Sequence, residues 1–239
     1  MMELLERLEI PLCQPQRIPV KTLIAQLQPG LADKKILETH IGSMKLVSIL
    51  NEQTIRIRPY KDDEYSYQSI YVFLIELKKD DSITTLSNLI HSAFPEPTIL
   101  ICQKANIKYI SLAEKRINKV EKDKTVVEEV VLCKISDDVT DSQISLKSIF
   151  GRDLKGYYSN LVTWLYKLKV LSITNIYPEK DMDFKPLIKK YEQVTTEIKK
   201  LKEEYTRASM MSEKMKIDDE LYDKEVDLNH LKNDLKVKE

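Results

Sequence analysis

Two residues of opposite charge, Glu76 and Lys78, stand two positions apart at the end of a long apolar run. In a β-strand, alternate side chains project from the same face, so this spacing would place a carboxylate beside an amine. A carboxylate oxygen is a ligand that Mg²⁺ accepts, and a nearby ammonium group can stabilise the charge that develops during hydrolysis. The pair is the one hint of chemistry in the sequence, and a metal site there would need a second acid close by.

The second acid would have to come from the residues before the run. The segment 54–57 alternates polar and apolar residues and predicts a strand, but it contains no acid. The nearest acids are Asp62, Asp63 and Glu64, in a polar loop over 60–68. The candidate catalytic set under this hypothesis is Glu76, Lys78, Asp62 and Asp63, with Mg²⁺ as its cofactor.

The other interpretation is that Glu76 and Lys78 are ordinary charges where a strand emerges into solvent. Under that interpretation the sequence indicates no cofactor and no resident metal. His40 and His91 each lie near an apolar helix face, where we expect a structural, hydrogen-bonded histidine.

The apolar run itself, residues 70–78, predicts a central strand covered on both faces. It is rich in β-branched and aromatic residues and is too short for a buried helix. The predicted helices are 1–10, 20–27, 31–41, 82–93, 144–150 and 154–168; the other predicted strands are 44–50, 54–57, 98–102, 107–112 and 125–132. This order predicts a mixed α/β domain with one sheet over residues 31–175, preceded by helices and a connector over 1–30.

Composition narrows the class of protein. The chain has 239 residues, and its 38 basic and 38 acidic side chains cancel, which argues against a globally basic nucleic-acid-binding protein. Cys13, Cys102 and Cys133 are odd in number and lack the spacing of a zinc site, so we expect reduced thiols. Without a signal-peptide pattern or a membrane-spanning apolar run, we expect a soluble cytoplasmic protein that does not bind membranes.

From Pro186 onward the sequence is highly charged, with regularly spaced apolar positions. A four-three spacing typical of a coiled-coil seam connects Leu187, Tyr191, Val194, Ile198, Leu201, Tyr205 and Ala208. A second seam has a different heptad phase and consists of Leu221, Leu228, Leu231 and Leu235. We predict two helices folded back as a coiled-coil hairpin over 186–239; one continuous helix with a stutter is the alternative.

Apolar residues near the bend of this hairpin predict a protein-binding surface, because methionine adapts to irregular partners. The candidate partner-binding residues are Tyr205, Met210, Met211 and Met215. A continuous helix would instead leave its seam unpaired and require a second chain, so a homo-oligomer joined through the tail stays open.

A basic segment over 115–124 could contact phosphates, although Glu114, Glu121 and Asp123 dilute its charge and a solvated loop is the favoured interpretation. Arg56 and Arg58 would share one face of the strand predicted over 54–57 and add to a basic surface. The candidate nucleic-acid-binding residues are Arg56, Arg58, Lys115, Arg116 and Lys119, with Lys122 and Lys124 following them.

The predicted order of elements around Glu76 and Lys78 is similar to the restriction-endonuclease-like core. In that core an acid near the preceding strand and the glutamate ligate Mg²⁺, while the lysine positions the attacking water. Because the predicted preceding strand contains no acid, the resemblance implies either a nuclease or a core of this kind that has lost catalysis.

The stretches 40–50, 70–79, 111–119 and 224–229 resemble the bacterial domain-of-unknown-function family 4391, and the resemblance extends from about Ile18 to the tail. The family has no assigned activity, and its genes tend to lie beside a large helicase and a DNA methyltransferase in restriction-modification and phage-defence clusters. The resemblance implies a non-catalytic accessory or adaptor subunit of such a system, docking through its tail, with DNA as a further expected contact. The alternative is a metal-dependent DNA nuclease that uses Glu76 and Lys78.

Overall fold

A computed structural model describes residues 2–121, 124–180 and 182–236. Lys122 and Asp123 of the basic segment, and residues 237–239 of the predicted hairpin, lie outside the described residues. The chain divides into two compact units, Met1–Leu168 and Lys169–Glu239.

The first unit combines short helices with the strands of one large sheet. Its elements are α1 (Met2–Leu8), β1 (Gln16–Arg17), α2 (Val20–Leu27), α3 (Leu31–His40), β2 (Ile41–Leu50), α4 (Glu52–Ile55), β3 (Tyr60–Lys61), β4 (Ser66–Tyr67), β5 (Ile70–Leu77), α5 (Ile83–Ala93), β6 (Thr98–Lys104), β7 (Ile107–Ile117), β8 (Thr125–Lys134) and α6 (Asp141–Ile144). The chain continues through α7 (Leu154–Thr174), which contains the unit boundary, to α8 (Lys185–Arg207) and α9 (Met211–Leu235). The protein is therefore a mixed α/β protein with a helical C-terminal region.

The sheet has six strands in the order β1-β2-β5-β6-β7-β8. Strand β5 is antiparallel to β2 and parallel to β6, whereas the other neighbouring pairs are antiparallel. A parallel pair needs a crossover connection, and α5 supplies it between β5 and β6. The central strand expected over 70–78 is confirmed, because β5 has a hydrogen-bonded neighbour on each side.

Both faces of β5 are buried. Phe73 and Ile75 join a core cluster with Leu86 and Ile90 of α5. Val72, on the opposite face, is fully buried as well. Burial of both faces explains why this strand is apolar throughout rather than alternating.

Helix α7 is fixed to the sheet by a tyrosine hydroxyl. The hydroxyl of Tyr158 donates a hydrogen bond to the carbonyl of Thr98 in β6 (2.8 Å) and accepts one from the N–H of Ala113 in β7 (2.9 Å). Further along the helix, the indole N–H of Trp164 donates to the carbonyl of Gln143 (2.7 Å). These buried polar atoms therefore have partners, as a packed core requires.

The strand predicted over 54–57 is wrong, because the chain forms the short helix α4 there. The side-chain oxygen of Asn51 accepts hydrogen bonds from the N–H groups of Gln53 and Thr54, and the Thr54 hydroxyl reaches back to the N–H of Asn51. This capping box favours a helical turn over an extended strand. Helix α4 ends at Arg56, whose φ of 57° is left-handed, so Arg56 and Arg58 do not share a strand face.

Two other predicted boundaries are also wrong. The helix expected over 144–150 is replaced by α6, which ends at Ile144. The next residues are held against the N-terminal helix instead: the N–H of Leu146 donates to the carbonyl of Leu8 (3.1 Å). The loop expected over 115–124 begins later, because β7 continues to Ile117 and makes Lys115 a strand residue.

In the second unit, the alternative of one continuous helix is wrong, since α8 ends at Arg207 and α9 begins at Met211. The two helices pack together through apolar residues of both seams and through Ile217; the seam residues are Leu187, Tyr191, Val194, Ile198, Leu201, Leu221, Leu228 and Leu231. Ion pairs Lys202–Glu225 (2.9 Å) and Lys224–Glu197 (2.7 Å) connect the same two helices. No helix within residues 2–121, 124–180 and 182–236 is long and apolar enough to cross a membrane.

Replacing Ile75 by alanine should lower the free energy of unfolding of the first unit by about 2–5 kcal/mol, because the residue is fully buried and a cavity would remain. Urea denaturation followed by circular dichroism measures this change. Leu31→Ala is the matched control: Leu31 is 88% exposed, so its loss should change the free energy by less than about 0.5 kcal/mol. Equal effects of the two substitutions would contradict the central position of β5.

Candidate functional site

Glu76 and Lys78 lie at the C-terminal end of β5, where each interacts with a different neighbour. The carboxylate of Glu76 accepts a hydrogen bond from the Ser43 hydroxyl on β2 (2.7 Å). The amine of Lys78 donates to the carbonyl of Glu38 (3.3 Å), and its backbone N–H donates to the carbonyl of His40 (2.8 Å). The two side chains are thus held by β2 and α3.

A polar network that the sequence pattern did not indicate lies beside this strand end. The His40 ring Nε2 lies 2.5 Å from a carboxylate oxygen of Asp81. The Asp80 carboxylate accepts hydrogen bonds from the Lys104 amine (2.6 Å) and the Tyr109 hydroxyl (3.1 Å). The hydrogen bond with His40 lowers the pKa of Asp81, and the hydrogen bond with Lys104 lowers that of Asp80.

Ligands often bind beyond the carboxyl ends of parallel strands, so this network lies where a site would be expected in an open α/β sheet. Its charged groups, however, satisfy one another and fix the segment that leads into α5. The adjacent residues Asp80 and Asp81 were a visible signal in the sequence. Their partners His40 and Lys104 are too distant along the chain to be found without the strand register.

The proposed second acid, Asp62, has a structural role in the small β3–β4 hairpin. Its carboxylate accepts hydrogen bonds from the Tyr60 hydroxyl (2.5 Å) and from the N–H groups of Tyr65 (2.6 Å) and Glu64 (2.8 Å). The Tyr60 hydroxyl is the main cause of a lowered pKa for Asp62, and the two backbone groups add to it. This carboxylate therefore stabilises a turn.

The β3–β4 hairpin lies at the opposite end of the sheet from Glu76. The carbonyl of Glu64 accepts a hydrogen bond from the N–H of Ile117, the last residue of β7 (2.7 Å). Glu76 is in register with Gln103, which pairs with Lys108 near the first residue of β7. The strand from Lys108 to Ile117 spans about 25–30 Å at about 3.3 Å per residue.

Ligands of one Mg²⁺ each lie about 2.1 Å from the ion, so an acid of this hairpin and Glu76 cannot share a metal. This separation applies to Asp62 and, because it is adjacent in the same turn, to Asp63. Among the residues that the structure describes, no three His, Cys, Asp or Glu side chains are grouped to hold a metal ion. The residues proposed for the nuclease hypothesis are therefore not brought together.

Lys115 is buried inside the first unit, with only 3% of its surface exposed. Its amine donates hydrogen bonds to the carbonyls of Phe94 and Glu96 (both 2.7 Å). These carbonyls directly follow α5, so the amine satisfies backbone groups at the end of that helix. Lys115 cannot reach a phosphate from this position.

Burial lowers the pKa of Lys115 to about 7, against a smaller opposing effect of the Glu96 carboxylate. Its neighbour His91 is also buried: the ring Nδ1 lies 2.7 Å from the Thr98 hydroxyl and the ring Nε2 lies 3.0 Å from the Ser111 hydroxyl. Burial, followed by the charge of Lys115, lowers the pKa of His91 well below its usual value. The histidine is therefore neutral and structural.

The other candidate nucleic-acid-binding residues are dispersed. Arg116 lies 3.3 Å from the carboxylate of Glu128 on β8. Arg56 and Arg58 are exposed on the segment after α4, and Lys119 is exposed after β7. The structure thus leaves three solvent-accessible candidates and does not place them on one strand face.

In the second unit, apolar side chains remain exposed although the inner faces of α8 and α9 are packed. Tyr205, Met210, Met211 and Met215, which the sequence singled out, are all exposed. Tyr222 and Val226 of α9 are exposed too, and the sequence analysis missed them. We call Met211, Met215, Tyr222 and Val226 the outer stripe; Met211 is 74% exposed and Tyr222 is 70% exposed.

The outer stripe has a sequence signal that could have been found. Met211 and Tyr222 are separated by the same interval as Met215 and Val226. That interval is about three helical turns, so the four side chains recur on one face of α9. This eleven-residue interval overlaps the heptad seam in the sequence of α9 and is therefore less conspicuous.

The fold and these sites define a mixed α/β protein whose helical C-terminal region exposes apolar side chains. The chain matches the family described as Domain of unknown function (DUF4391) over residues 13–228, which is most of its length. The protein therefore belongs to this family, and the match includes both the end of β5 and the outer stripe. Comparisons with curated proteins and with solved structures gave no match.

The free energy of unfolding of the wild-type protein should rise with pH above about pH 7, and Lys115→Met should remove this rise. Between the pKa of about 7 in the folded chain and one near 10.4 in the unfolded chain, only the unfolded chain binds the proton. The free energy of unfolding therefore rises with pH in that interval, whereas below about pH 7 both forms are charged and this contribution is constant. We expect the wild-type value minus the variant value to increase by about 2 kcal/mol from pH 7 to pH 9 in urea denaturation.

The control for this prediction is Lys34→Met, which removes an exposed lysine of α3. The difference between wild type and this control should stay flat over the same pH range. A flat difference for Lys115→Met as well would contradict the effect of burial on the pKa of Lys115.

Proposed function

We propose that this protein is a non-catalytic accessory or adaptor subunit that docks on a partner protein through its C-terminal helices. The observation that carries the proposal is the outer stripe: four apolar side chains exposed on a helix whose other face is packed. Clustered exposed apolar residues are typical of interaction sites, and methionine is common at adaptable ones.

In this proposal α8 and α9 act as a coiled-coil hairpin. Its support is the four-three seam of α8, the packed cluster of both helices and the two ion pairs between them. Because the seam finds its partner within the chain, neither helix needs a second copy in order to fold. The outer stripe is then available for another protein.

The proposed partner is a helicase- or methyltransferase-containing complex of a bacterial phage-defence system in the cytoplasm. Family membership supports this assignment through the gene neighbourhood expected for the family. Cys13 and Cys102 are free thiols, which suits a reducing compartment. DNA contact through Arg56, Arg58 and Lys119 is a further part of the proposal, supported by the exposure of these side chains.

A restriction-endonuclease-like core enters the proposal only as a scaffold without catalysis. Its support is the succession of β2, β5, the crossover helix α5 and the parallel strand β6, with Glu76 and Lys78 at the end of β5. The separation of Asp62 and Asp63 from Glu76 removes the observation on which the nuclease alternative would depend.

The triple substitution Met211→Ser, Met215→Ser and Tyr222→Ser should weaken binding to the proposed helicase or methyltransferase partner by at least about tenfold. A tenfold loss corresponds to about 1.4 kcal/mol, and the three side chains can contribute that much apolar contact. Isothermal titration calorimetry with the purified proteins measures the change.

The matched control is Leu31→Ser with Phe150→Ser, which removes two exposed apolar side chains from the first unit. It should leave the affinity unchanged. An unaltered affinity of the triple variant, or no complex with any of these proteins, would contradict the docking role. Cleavage of DNA in the presence of Mg²⁺ that Glu76→Ala abolishes would contradict the non-catalytic role.

A further inference from the structure

We propose that the outer stripe binds a basic amphipathic helix of the partner protein. This inference rests on the docking function proposed above and adds the chemistry of the element that docks. Three features of α9 support it: the arc that the stripe occupies, the charges that border that arc, and the separate face that packs against α8.

The outer stripe occupies a narrow arc of the helix. At about 100° per residue, Met211, Met215, Tyr222 and Val226 fall within about 60° of one another. Asn229 and Asn233 continue the same arc toward the end of α9, so no charged residue occurs on it in an otherwise highly charged helix. From Met211 to Val226 the stripe is about 22 Å long, or about four helical turns.

The stripe faces away from α8. The packed residues of α9 lie on the other side of the helix and include Ile217, Leu221, Leu228 and Leu231. Because the arc of the stripe and this packed face do not overlap, a helix could lie along the stripe without disturbing the contacts with α8. A third helix docked beside two packed helices is a common form of recognition.

The charged residues of α9 nearest to the stripe are acidic, and Lys214, Lys216 and Lys232 lie farther round the helix. Asp218 lies along one border, and Asp219 and Asp223 lie along the other. All three are exposed, and none forms an ion pair with another residue that the structure describes. The charged residues of α9 nearer to α8 do form ion pairs: Glu225 pairs with Lys202, and Lys224 pairs with Glu197.

An uncharged stripe between unpaired carboxylates complements a helix whose apolar face is flanked by lysine or arginine. The same carboxylates would repel nucleic acid and anionic lipid surfaces, both of which attract basic groups. The charge pattern therefore selects a basic protein helix over these other classes of partner.

A second copy of this chain does not supply such a helix. Helix α8 carries many basic residues, but its apolar side chains Val194, Ile198 and Leu201 are buried against α9. Two α9 helices facing each other would bring the acidic borders of both copies together, and like charges in such contacts repel. The complementary helix must therefore come from another protein.

The experiment measures binding of the full-length protein to a fluorescent helical peptide of about 22 residues, long enough to span the stripe. The peptide has leucine along one face and lysine on both flanks; its twin has glutamate in place of every lysine. Fluorescence anisotropy should show that the lysine peptide binds at least about tenfold more tightly than the glutamate peptide, with an affinity that falls as salt is raised.

Two pairs of substitutions separate the apolar and charged contributions. Met215→Ser with Tyr222→Ser should weaken binding of the lysine peptide at least about tenfold, and Asp219→Asn with Asp223→Asn should weaken it severalfold and reduce its salt dependence. Glu203→Gln with Glu204→Gln removes two exposed carboxylates from α8 and should change neither property. All substituted side chains are exposed, so circular dichroism should show unchanged helix content.

Equal binding of the two peptides, or a lysine peptide whose binding ignores all the substitutions on α9, would overturn the inference. So would light scattering that shows a dimer dissociated by Tyr222→Ser, because the occupant would then be a second copy. If the serine variants weaken the native complex and the asparagine variants leave it intact, the docking function stands and the basic-helix inference fails. If neither pair of substitutions affects the native complex, both fail.

Discussion

The burial of β5 on both faces is the constraint on which the first unit depends. A strand with Phe73 and Val72 pointing to opposite faces needs cover on each side, and α5 packs against the face that carries Phe73. Chemistry is thereby confined to the ends of the strands. At the C-terminal end of β5, hydrogen bonds and ion pairs already use the charged groups, and the hairpin acids lie at the far end of the sheet. These observations support the proposed non-catalytic role of the first unit.

The second unit differs because α9 has two apolar faces and α8 covers one of them. The covered face supplies the burial that stabilises the two helices, since isolated helices are marginal in water. The residues of the outer stripe are not part of that packed cluster, and solvent exposure of such side chains is unfavourable for a free protein. Their presence on a surface that is otherwise charged is the basis of the proposed docking role, and the acidic borders are the basis of the proposed basic partner helix.

Features that depend on local periodicity could be predicted from the sequence. A few turns or alternations of sequence are enough to recognise the apolar run of β5, the helix α2 and the four-three seam of α8. Over residues 54–57 the alternation of polar and apolar residues predicted a strand, but the side chain of Asn51 stabilises a helical turn there through local hydrogen bonds. The burial of Lys115 and the remoteness of Asp62 from Glu76 could not be predicted, because both follow from strand register over long separations. The outer stripe could have been predicted from the sequence, but its residues recur after about three full turns and so do not follow the heptad pattern.

The central claim is that a partner covers the outer stripe, and the rate of methionine oxidation by dilute hydrogen peroxide tests it directly. In the free protein Met211 and Met215 should be oxidised quickly and the buried Met44 slowly. When the proposed helicase or methyltransferase partner is added, oxidation of Met211 and Met215 should slow severalfold, while Met182, exposed outside the stripe, should react as before. Unchanged rates at Met211 and Met215 in a complex that has demonstrably formed would contradict the account.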